Sequence, residues 1–290
     1  MKFDKNTKIL IVGLGLIGGS YAKALSDEGY FVGAIDKKKS SVEYALKNGL
    51  IQVGETSVKK DFVKDFDLIV FALYPHDFIN WIKEYQSSIK SGALITDVTG
   101  VKSFVVENVQ KILRGDLEFV GAHPMAGKEV SGVENADSKI FVGANYIVTP
   151  TKRNTDENVQ AVQDLGRALG FERISSLSPE EHDETVGFLS HLTHCIAVSL
   201  MVSKKSHHLA EYTGDSFRDL TRIAKINDEM WSELFLANKD ELLKQMDLFE
   251  EKFNQLKEDI KNDNREKIRE TLRESTARRK VFDKDAKETK

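Results

Sequence analysis

The sequence predicts an α/β protein in which a doubly wound, Rossmann-type parallel sheet is followed by an all-helical domain. In the first half, short apolar runs alternate with helical stretches, as in a parallel sheet that is covered on both faces. In the second half only helical periodicity remains, and it begins at a helix-start signal at Ser178. We therefore expect one domain over residues 1–175 and a second over residues 176–290.

Apolar runs of strand length predict the individual strands of the first domain. They lie at residues 8–12, 31–35, 68–73, 93–96, 118–121 and 145–148. Helices are predicted between them, for example at residues 18–28 and 40–48. Because these runs are continuously apolar rather than alternating, we expect a parallel sheet that is buried on both sides.

The second domain opens with a capping signal in which Ser178 is the N-cap, Pro179 the first helical residue and Glu181 the partner of the cap. A helix over residues 180–204 should follow, and Asp228 is the predicted N-cap of a later one. Apolar residues then recur at helical spacing from residue 231 to residue 260, which predicts one helix of about 30 residues. Such a helix outruns a small domain, so we expect a homodimer built through the C-terminal helices. The alternative is a long helix that packs only within its own chain.

The composition limits the partners that the chain can attract. Of its 290 residues, 40% are hydrophobic and 30% are charged, and the formal net charge is −4. An acidic chain gains little long-range attraction to nucleic acid or anionic lipid, so neither is an expected partner. Cys195 is the one cysteine, which favours a reducing, cytoplasmic compartment. No uninterrupted run of about 18 apolar residues occurs, so no membrane-spanning helix is expected.

A glycine-rich motif between the first strand and the first helix predicts a dinucleotide site. The motif G-x-G-x-x-G consists of Gly13, Leu14, Gly15, Leu16, Ile17 and Gly18. The first glycine permits a tight turn, the second lets a pyrophosphate approach the backbone, and the third allows close packing of helix and strand. The alternative is a turn that needs glycines for packing and binds nothing.

Asp36 ends the second predicted strand and indicates which dinucleotide is bound. Its carboxylate can accept hydrogen bonds from ribose hydroxyls and would repel a 2′-phosphate. NAD is therefore favoured over NADP, although three lysines, Lys37 to Lys39, follow directly.

His123 lies in a loop, Gly-Ala-His-Pro-Met-Ala-Gly, that follows a predicted strand. Ligands of open α/β sheets bind at the carboxyl ends of the strands, so this histidine can face a nicotinamide. A neutral imidazole suits the removal of a hydroxyl proton while hydride leaves a carbinol carbon. The alternative is a loop histidine that caps a turn.

Further polar residues cluster in the helical half. His191 and His194 are three residues apart on one helix and so should share a face. They could be core histidines, metal ligands or a polar pair that faces the cleft, but no third metal ligand is evident, so no metal is expected. Arg218 and Arg222 lie four apart, and Asp219 can pair with Arg222. An arginine fork suits a substrate carboxylate, and the alternative is a surface ion-pair network.

These segments together resemble the prephenate/arogenate dehydrogenase family. The resemblance runs from about residue 8 to residue 260 and rests on the glycine loop and four later runs. They are G-x-H-P-M-A-G-x-E-x-S-G at 121–132, S-H-L-x-H at 190–194, F-x-D-x-T-R-I-A at 217–224 and the run from Asp228 to Trp231, which reads D-x-M-W. The resemblance implies a Rossmann-type domain, a helical dimerisation domain, and NAD-dependent oxidative decarboxylation of prephenate to 4-hydroxyphenylpyruvate in tyrosine biosynthesis.

The resemblance also implies roles for single residues. His123 would bond the ring hydroxyl and assist hydride transfer, Arg222 would bind a substrate carboxylate, and His194 would lie near the substrate's side chain. His191 is taken as a further substrate-binding residue. A polar network at the site entrance would comprise Glu129, Arg218 and Asp219, with Trp231 close by.

Two departures from the family pattern concern the site. Gly100 stands where many members have a serine, so Thr99 is the neighbouring hydroxyl that could take over a catalytic contact. Thr193 replaces a common proline, which would relax a helix kink and shift His194. Three other functions stay open: an arogenate dehydrogenase, a non-catalytic NAD-binding redox sensor, and a 3-hydroxyacid or imine reductase, for which the expected lysine-centred motif is not evident.

Overall fold

A six-stranded parallel sheet forms the centre of the first part of the chain in the computed structural model, which describes residues 1–205 and 208–283. Its spatial order is β3-β2-β1-β4-β5-β6, so the chain crosses over between β3 and β4, as in a doubly wound fold. The strands are β1 (Lys8–Val12), β2 (Phe31–Ile35), β3 (Val53–Glu55), β4 (Leu68–Phe71), β5 (Leu94–Asp97) and β6 (Glu118–Phe119). This confirms the predicted fold class.

Helices cover both faces of this sheet, because side chains of the central strands point alternately into two separate cores. In β1, Ile9 and Ile11 lie in one core, whereas Leu10 and Val12 lie in the other. Burial on both faces explains why the strands are continuously apolar. The helices of this part are α1 (Leu16–Asp27), α2 (Lys39–Lys47), α3 (Lys60–Val63), α4 (Pro75–Tyr85), α5 (Ser103–Ile112) and α6 (Asp156–Ala168).

A second, mixed sheet differs from the single parallel sheet that we predicted. The predicted strand at 118–121 divides, because β6 ends at Phe119 and a new strand, β7 (Gly121–Pro124), begins two residues later. β7 pairs antiparallel with β8 (Asn145–Thr149), which pairs parallel with β9 (Arg173–Ser176). At the division, the amide of Ala122 donates to the side chain of Asp97 rather than to a neighbouring strand (3.0 Å). The separate sheet therefore gives His123, on β7, a position beside the end of β5.

A buried ion pair joins the end of β5 to the start of α5. Lys102 Nζ lies 2.6 Å from Asp97 Oδ2, and both side chains are 0% exposed. Burial lowers the pKa of Lys102, and the neighbouring Asp97 opposes that shift. Because Asp97 also accepts the amide of Ala122, this pair fixes the loop after β5 and the first residues of β7 together.

The helical half begins as the capping signal predicts. Ser178 and Glu181 form a capping box at the start of α7 (Pro179–Val186). The helix then continues through a π-type segment (Gly187–Leu192) into α8 (Thr193–Val202). The later helices are α9 (Asp215–Thr221), α10 (Asp228–Ala237), α11 (Lys239–Lys261) and α12 (Arg265–Arg279). Residues 206–207 and 284–290 of the predicted second domain lie outside the described residues.

Two details of the helical half were predicted wrongly. Asn227, not Asp228, caps α10, since its side chain accepts the amide of Met230 (2.9 Å). The predicted helix of about 30 residues is broken at Asn238, where the backbone has φ −113° and ψ 31°. The buried amide of Asn238 donates to the carbonyl of Asp183 (2.9 Å), so a tertiary hydrogen bond holds the break.

The chain divides into two compact units, Met1–Lys239 and Asp240–Lys290. The second unit holds most of α11 and all of α12. It carries a row of exposed apolar side chains on α11, namely Leu243, Met246, Leu248, Phe249, Phe253 and Ile260. Exposed apolar surface of this extent is typical of a protein interface.

Among the described residues, the segment Pro179–Val202 is long and apolar enough to cross a membrane, which the sequence analysis did not anticipate. Polar residues of this segment nevertheless pack within the protein. Asp183 and His191 are buried at 3% and 1% exposure and bond to residues of other elements. Buried polar contacts of this kind are typical of a core helix rather than a lipid-facing one.

Replacing Lys102 tests whether the buried ion pair fixes the loop after β5. We expect Lys102→Met to lower the free energy of unfolding by about 3–5 kcal/mol, because Asp97 would then be a buried charge without its cation. The measurement is urea denaturation, with Lys64→Met as the control, since Lys64 pairs with Asp61 on the surface. An unfolding free energy that Lys102→Met changes no more than Lys64→Met does would contradict this role.

Candidate active site

The glycine motif has the backbone geometry that a dinucleotide loop requires. Gly13 has φ +99°, and a Cβ built on it would lie 2.4 Å from the carbonyl oxygen of Ala72. A Cβ on Gly18 would lie 1.9 Å from the carbonyl oxygen of Gly13. A Cβ on exposed Gly15 would meet nothing within 4 Å, so the space in front of its backbone is open. Gly13 and Gly18 are thus required by packing, whereas Gly15 keeps the approach to the loop clear.

Hydrogen-bond donors and one carboxylate complete this loop. Gly15 is the N-cap of α1 and provides no side-chain cap, so amides of the first helical turn remain available to an anion. Asp36 Oδ2 accepts the amide of Leu14 (2.6 Å), and its Oδ1 accepts the amide of Lys38 (2.7 Å). Each oxygen keeps a further lone pair for a hydroxyl. The residues present therefore fit a dinucleotide with a free ribose.

Leu14, Leu16 and Ile17, the other members of the motif, lie with their side chains in or against the protein interior. Leu14 is 2% exposed and Leu16 9%, and Ile17 packs against the core on its side of the sheet. Any contact of these residues with the cofactor would therefore be made by their backbone.

His123 is held by a second histidine that the sequence analysis did not identify. Its Nδ1 lies 2.8 Å from Nε2 of His182, a residue of α7. Burial lowers the pKa of His123 well below its ordinary value, and the charges of His182, Lys102 and His191 lower it further. His123 is therefore a neutral imidazole at neutral pH, as a proton acceptor must be.

The hydroxyl of Thr99 belongs to the buried network around Asp97. Thr99 Oγ1 bonds to Asp97 Oδ2 and accepts from Lys102 Nζ (3.0 Å), and Thr99 is 4% exposed. This placement gives no support to its predicted catalytic contact. Gly100 is the residue beside His123, since a Cβ built on it would lie 3.8 Å from His123 Nε2.

The two histidines of the S-H-L-T-H run both face Trp231, as their spacing predicts, but they differ in burial and in hydrogen-bond partner. His191 is 1% exposed, and its Nδ1 lies 3.2 Å from the amide nitrogen of Asn238. Burial lowers the pKa of His191 to about 4. His191 thus lies within the core, with the rings of Trp231 and Phe235 at 6.0 Å.

His194 is partly buried and stacks on Trp231 with 3.7 Å between ring centroids. Its Nδ1 lies 2.8 Å from the carbonyl oxygen of Ser190, which leaves Nε2 as the free acceptor. Burial lowers the pKa of His194, the Ser190 carbonyl opposes this, and Arg222 lowers it further. Within the described residues, no group of three or more His, Cys, Asp or Glu side chains is arranged to hold a metal ion.

Arg222 reaches back to the loop that follows His123. Its Nη1 donates to Glu129 Oε1, whereas the sequence analysis expected a pair with Asp219. Arg218 is not brought to this pair, because it bonds to Asp215 (2.8 Å) and to the carbonyl of Thr213 (3.0 Å). The arginine and glutamate of the predicted entrance network thus lie together, and Arg218 contacts neighbours on its own segment.

The sequence analysis did not identify four buried residues that hold the site in place through hydrogen bonds, namely His182, Asp183, Lys102 and Asn238. His182 and Asp183 lie in the first turns of α7, where they read as ordinary polar residues after a capping box. The sequence did contain a signal for them. His182 and Asp183 lie four and three residues before Val186, so all three share one face of the helix, and that face is buried.

Family models match both halves of the chain. The model described as the nucleotide-binding domain of prephenate dehydrogenase matches residues 21–173. The model described as the dimerization domain of prephenate dehydrogenase matches residues 178–274. Together they span both sides of the predicted boundary at residue 175.

Three similar proteins carry related names. The prephenate dehydrogenase of Bacillus subtilis is 34% identical over 249 residues, which cover 82% of this chain and 66% of that protein. A crystal structure of prephenate dehydrogenase from Aquifex aeolicus with hydroxyphenyl propionate and NAD+ has a TM-score of 0.87 and 34% identity, over 96% of this chain and 98% of that one. The structure of Synechocystis arogenate dehydrogenase has a TM-score of 0.81 and 25% identity, over 96% and 100%. The chain spans about two thirds of the length of the Bacillus enzyme.

Alanine at two glycines of the loop separates packing from binding. We expect Gly18→Ala to lower the melting temperature strongly, because its Cβ would overlap the carbonyl of Gly13. Gly15→Ala should fold with nearly unchanged stability and bind NAD at least tenfold more weakly, since about 1.4 kcal/mol of lost contact suffices. Calorimetry of unfolding and of NAD binding measures both, and equal effects of the two variants on melting temperature would contradict the assignment.

Proposed function

The chain belongs to the prephenate dehydrogenase family, and we propose that it is an NAD-dependent oxidoreductase that converts prephenate to 4-hydroxyphenylpyruvate and carbon dioxide in tyrosine biosynthesis. The observation that carries this proposal is a neutral, desolvated His123 whose Nε2 is not used by any bond to the protein among the described residues. The open glycine loop with Asp36 supports NAD as the cofactor.

The proposed reaction needs one proton acceptor and two carboxylate-binding groups. When bound, NAD accepts the hydride from ring carbon C4. The hydroxyl on C4 loses its proton as its bond to carbon becomes a carbonyl, and His123 Nε2 is the group that receives this proton. Loss of the ring carboxylate as carbon dioxide then makes the ring aromatic, which supplies the driving force, and the proton held on His123 returns to the ring oxygen to give the hydroxyl of the product.

Arg222 is the proposed partner of a substrate carboxylate. Its guanidinium is 64% exposed and faces a single carboxylate, Glu129, so it can turn toward a substrate without leaving a buried charge. His194 lies near enough for Arg222 to influence its pKa, and it offers Nε2 to the substrate's side chain. His191, Arg218 and Asp219 stay in the proposal as supporting residues. His191 lies in the core beside Asn238, and Arg218 bonds to Thr213 and Asp215 on its own segment.

We further propose a cytoplasmic homodimer. The exposed apolar residues of α11 fall within the segment that matches the dimerization-domain model, residues 178–274. The family models on either side of residue 175 support a nucleotide-binding domain at 1–175 and a helical substrate and dimerisation domain at 176–290. The thiol of Cys195 is free, which suits a reducing compartment.

Arogenate is a second candidate substrate, in which an amino group replaces the side-chain keto oxygen. The similarity to Synechocystis arogenate dehydrogenase favours it. Kinetics with both substrates, side by side, decide between them through the ratio of kcat/KM values.

The proposal predicts a selective loss of turnover in His123→Asn. The asparagine amide can still reach His182, but it offers no basic nitrogen at the position of Nε2, so we expect kcat to fall about 10²–10⁴-fold with little change in KM. NADH absorbance at saturating NAD and prephenate measures this. Full turnover by His123→Asn would refute the role.

The lowered pKa of His123 predicts the pH dependence of the wild type. Its kcat/KM should fall only when the pH drops through that pKa, below 6.5, because the neutral form of His123 is the active one.

Arg222→Gln should act on binding instead. We expect KM for prephenate to rise at least tenfold while kcat changes less, since a charge-assisted hydrogen bond contributes about 1.5–3 kcal/mol. The matched control is Arg167→Gln, which removes a surface arginine paired with Asp164. An unaltered KM in Arg222→Gln would count against this assignment.

A further inference from the structure

A line of polar contacts leads from His123 into the protein, and the proposed chemistry does not use it. His123 Nδ1 lies 2.8 Å from His182 Nε2, and His182 Nδ1 lies 2.8 Å from Asp183 Oδ1. His182 is 0% exposed and Asp183 3%. The helix α7 therefore supplies the groups that face the inner nitrogen of His123.

Asp183 acts only as a hydrogen-bond acceptor in this arrangement. Besides His182, it accepts the amides of Lys102 and Ser103, both at 2.8 Å, at the start of α5. Burial raises the pKa of Asp183, but the hydrogen bonds from His182 and from these two amides outweigh burial and leave the pKa below its ordinary value. The positive end of α5 also favours the carboxylate. The proton between Asp183 and His182 therefore resides on His182 Nδ1.

The position of the single ring proton of His182 then determines which nitrogen of His123 carries its proton. Burial lowers the pKa of His182, so its ring is neutral and carries only the proton on Nδ1. Its Nε2 is left as a lone pair, which can only accept a hydrogen bond from Nδ1–H of His123. The ionisable groups that face the two rings are Asp183 from α7, Asp97 and Lys102 from the β5–α5 connection, and His191 from the π-type segment.

We propose that His182 and Asp183 are positioning residues that fix the proton of His123 on Nδ1 and so keep Nε2 free to accept the proton of the substrate hydroxyl. The opposite tautomer of His123 would present a hydrogen on Nε2 and could not accept. In the Ser-His-Asp enzymes, exchange of the orienting aspartate for asparagine, which produces the wrong tautomer, lowers kcat about 10⁴-fold. The catalytic step, though not the tautomer, rests on the proposed function.

The test combines ring-nitrogen NMR with kinetics on the full chain. In protein labelled with ¹⁵N-histidine, the wild-type signal of His123, assigned by its loss in His123→Asn, should show a protonated Nδ1 and a bare Nε2. In His182→Leu, the proton should move toward Nε2, and kcat with prephenate should fall about 10–100-fold, part of the contribution expected of a general base. KM should stay within about threefold, because His182 does not face solvent.

The matched control is His76→Leu, which removes an exposed histidine that contacts Glu233. It should leave the His123 signal and kcat unchanged. A wild-type His123 that carries its proton on Nε2 would overturn the proposal, and so would wild-type kcat in a folded His182→Leu. Even if His182→Leu does not fold, the wild-type spectrum alone shows which nitrogen of His123 carries the proton and so tests the proposal. Absence of prephenate oxidation by the wild type would instead overturn the proposed function and leave the tautomer assignment in place.

Discussion

Asp183 is the residue on which the assembly of the site depends. Its carboxylate accepts two amides at the start of α5 and bonds to His182. Its main-chain carbonyl accepts the side-chain amide of Asn238 at the break after α10. Leaving a buried carboxylate unsatisfied costs several kcal/mol, so the two amides and His182 each contribute to holding Asp183 in the interior. The orientation of His123 is thereby coupled to the packing of α7 and of the end of α10.

The parts of the fold that follow local rules could be predicted from sequence. Strands β1 and β2, the glycine loop and the capping box at Ser178 depend on residues within a few positions of one another. Asp36 is also local in this sense, because the end of β2 is fixed next to the loop by parallel pairing with β1. The fold class follows from these signals, and the family assignment from the longer motifs agrees with it.

The remainder of the site depends on partners far apart in the chain. Nothing near residue 182 indicates that its imidazole meets one at residue 123, and nothing near residue 238 indicates that an asparagine side chain will end a helix by bonding to Asp183. The antiparallel β7 was missed for the same reason, because Asp97 takes the amide that would have continued the parallel ladder. Arg222 likewise pairs with Glu129, which lies 93 residues away in the chain, and not with the nearby Asp219.

The π-type segment Gly187–Leu192 has a consequence for the angular phase of the helix that carries it. Each residue of a regular α-helix advances about 100° around the axis, and a π-type turn accommodates one residue more than an α-turn does. Everything downstream is therefore rotated by roughly one residue relative to α7. This offset lets one continuous helix direct Asp183 into the interior and present both His191 and His194 to Trp231. A single insertion or deletion near the start of this segment would rotate His191 and His194 away from Trp231 while leaving His182 in place.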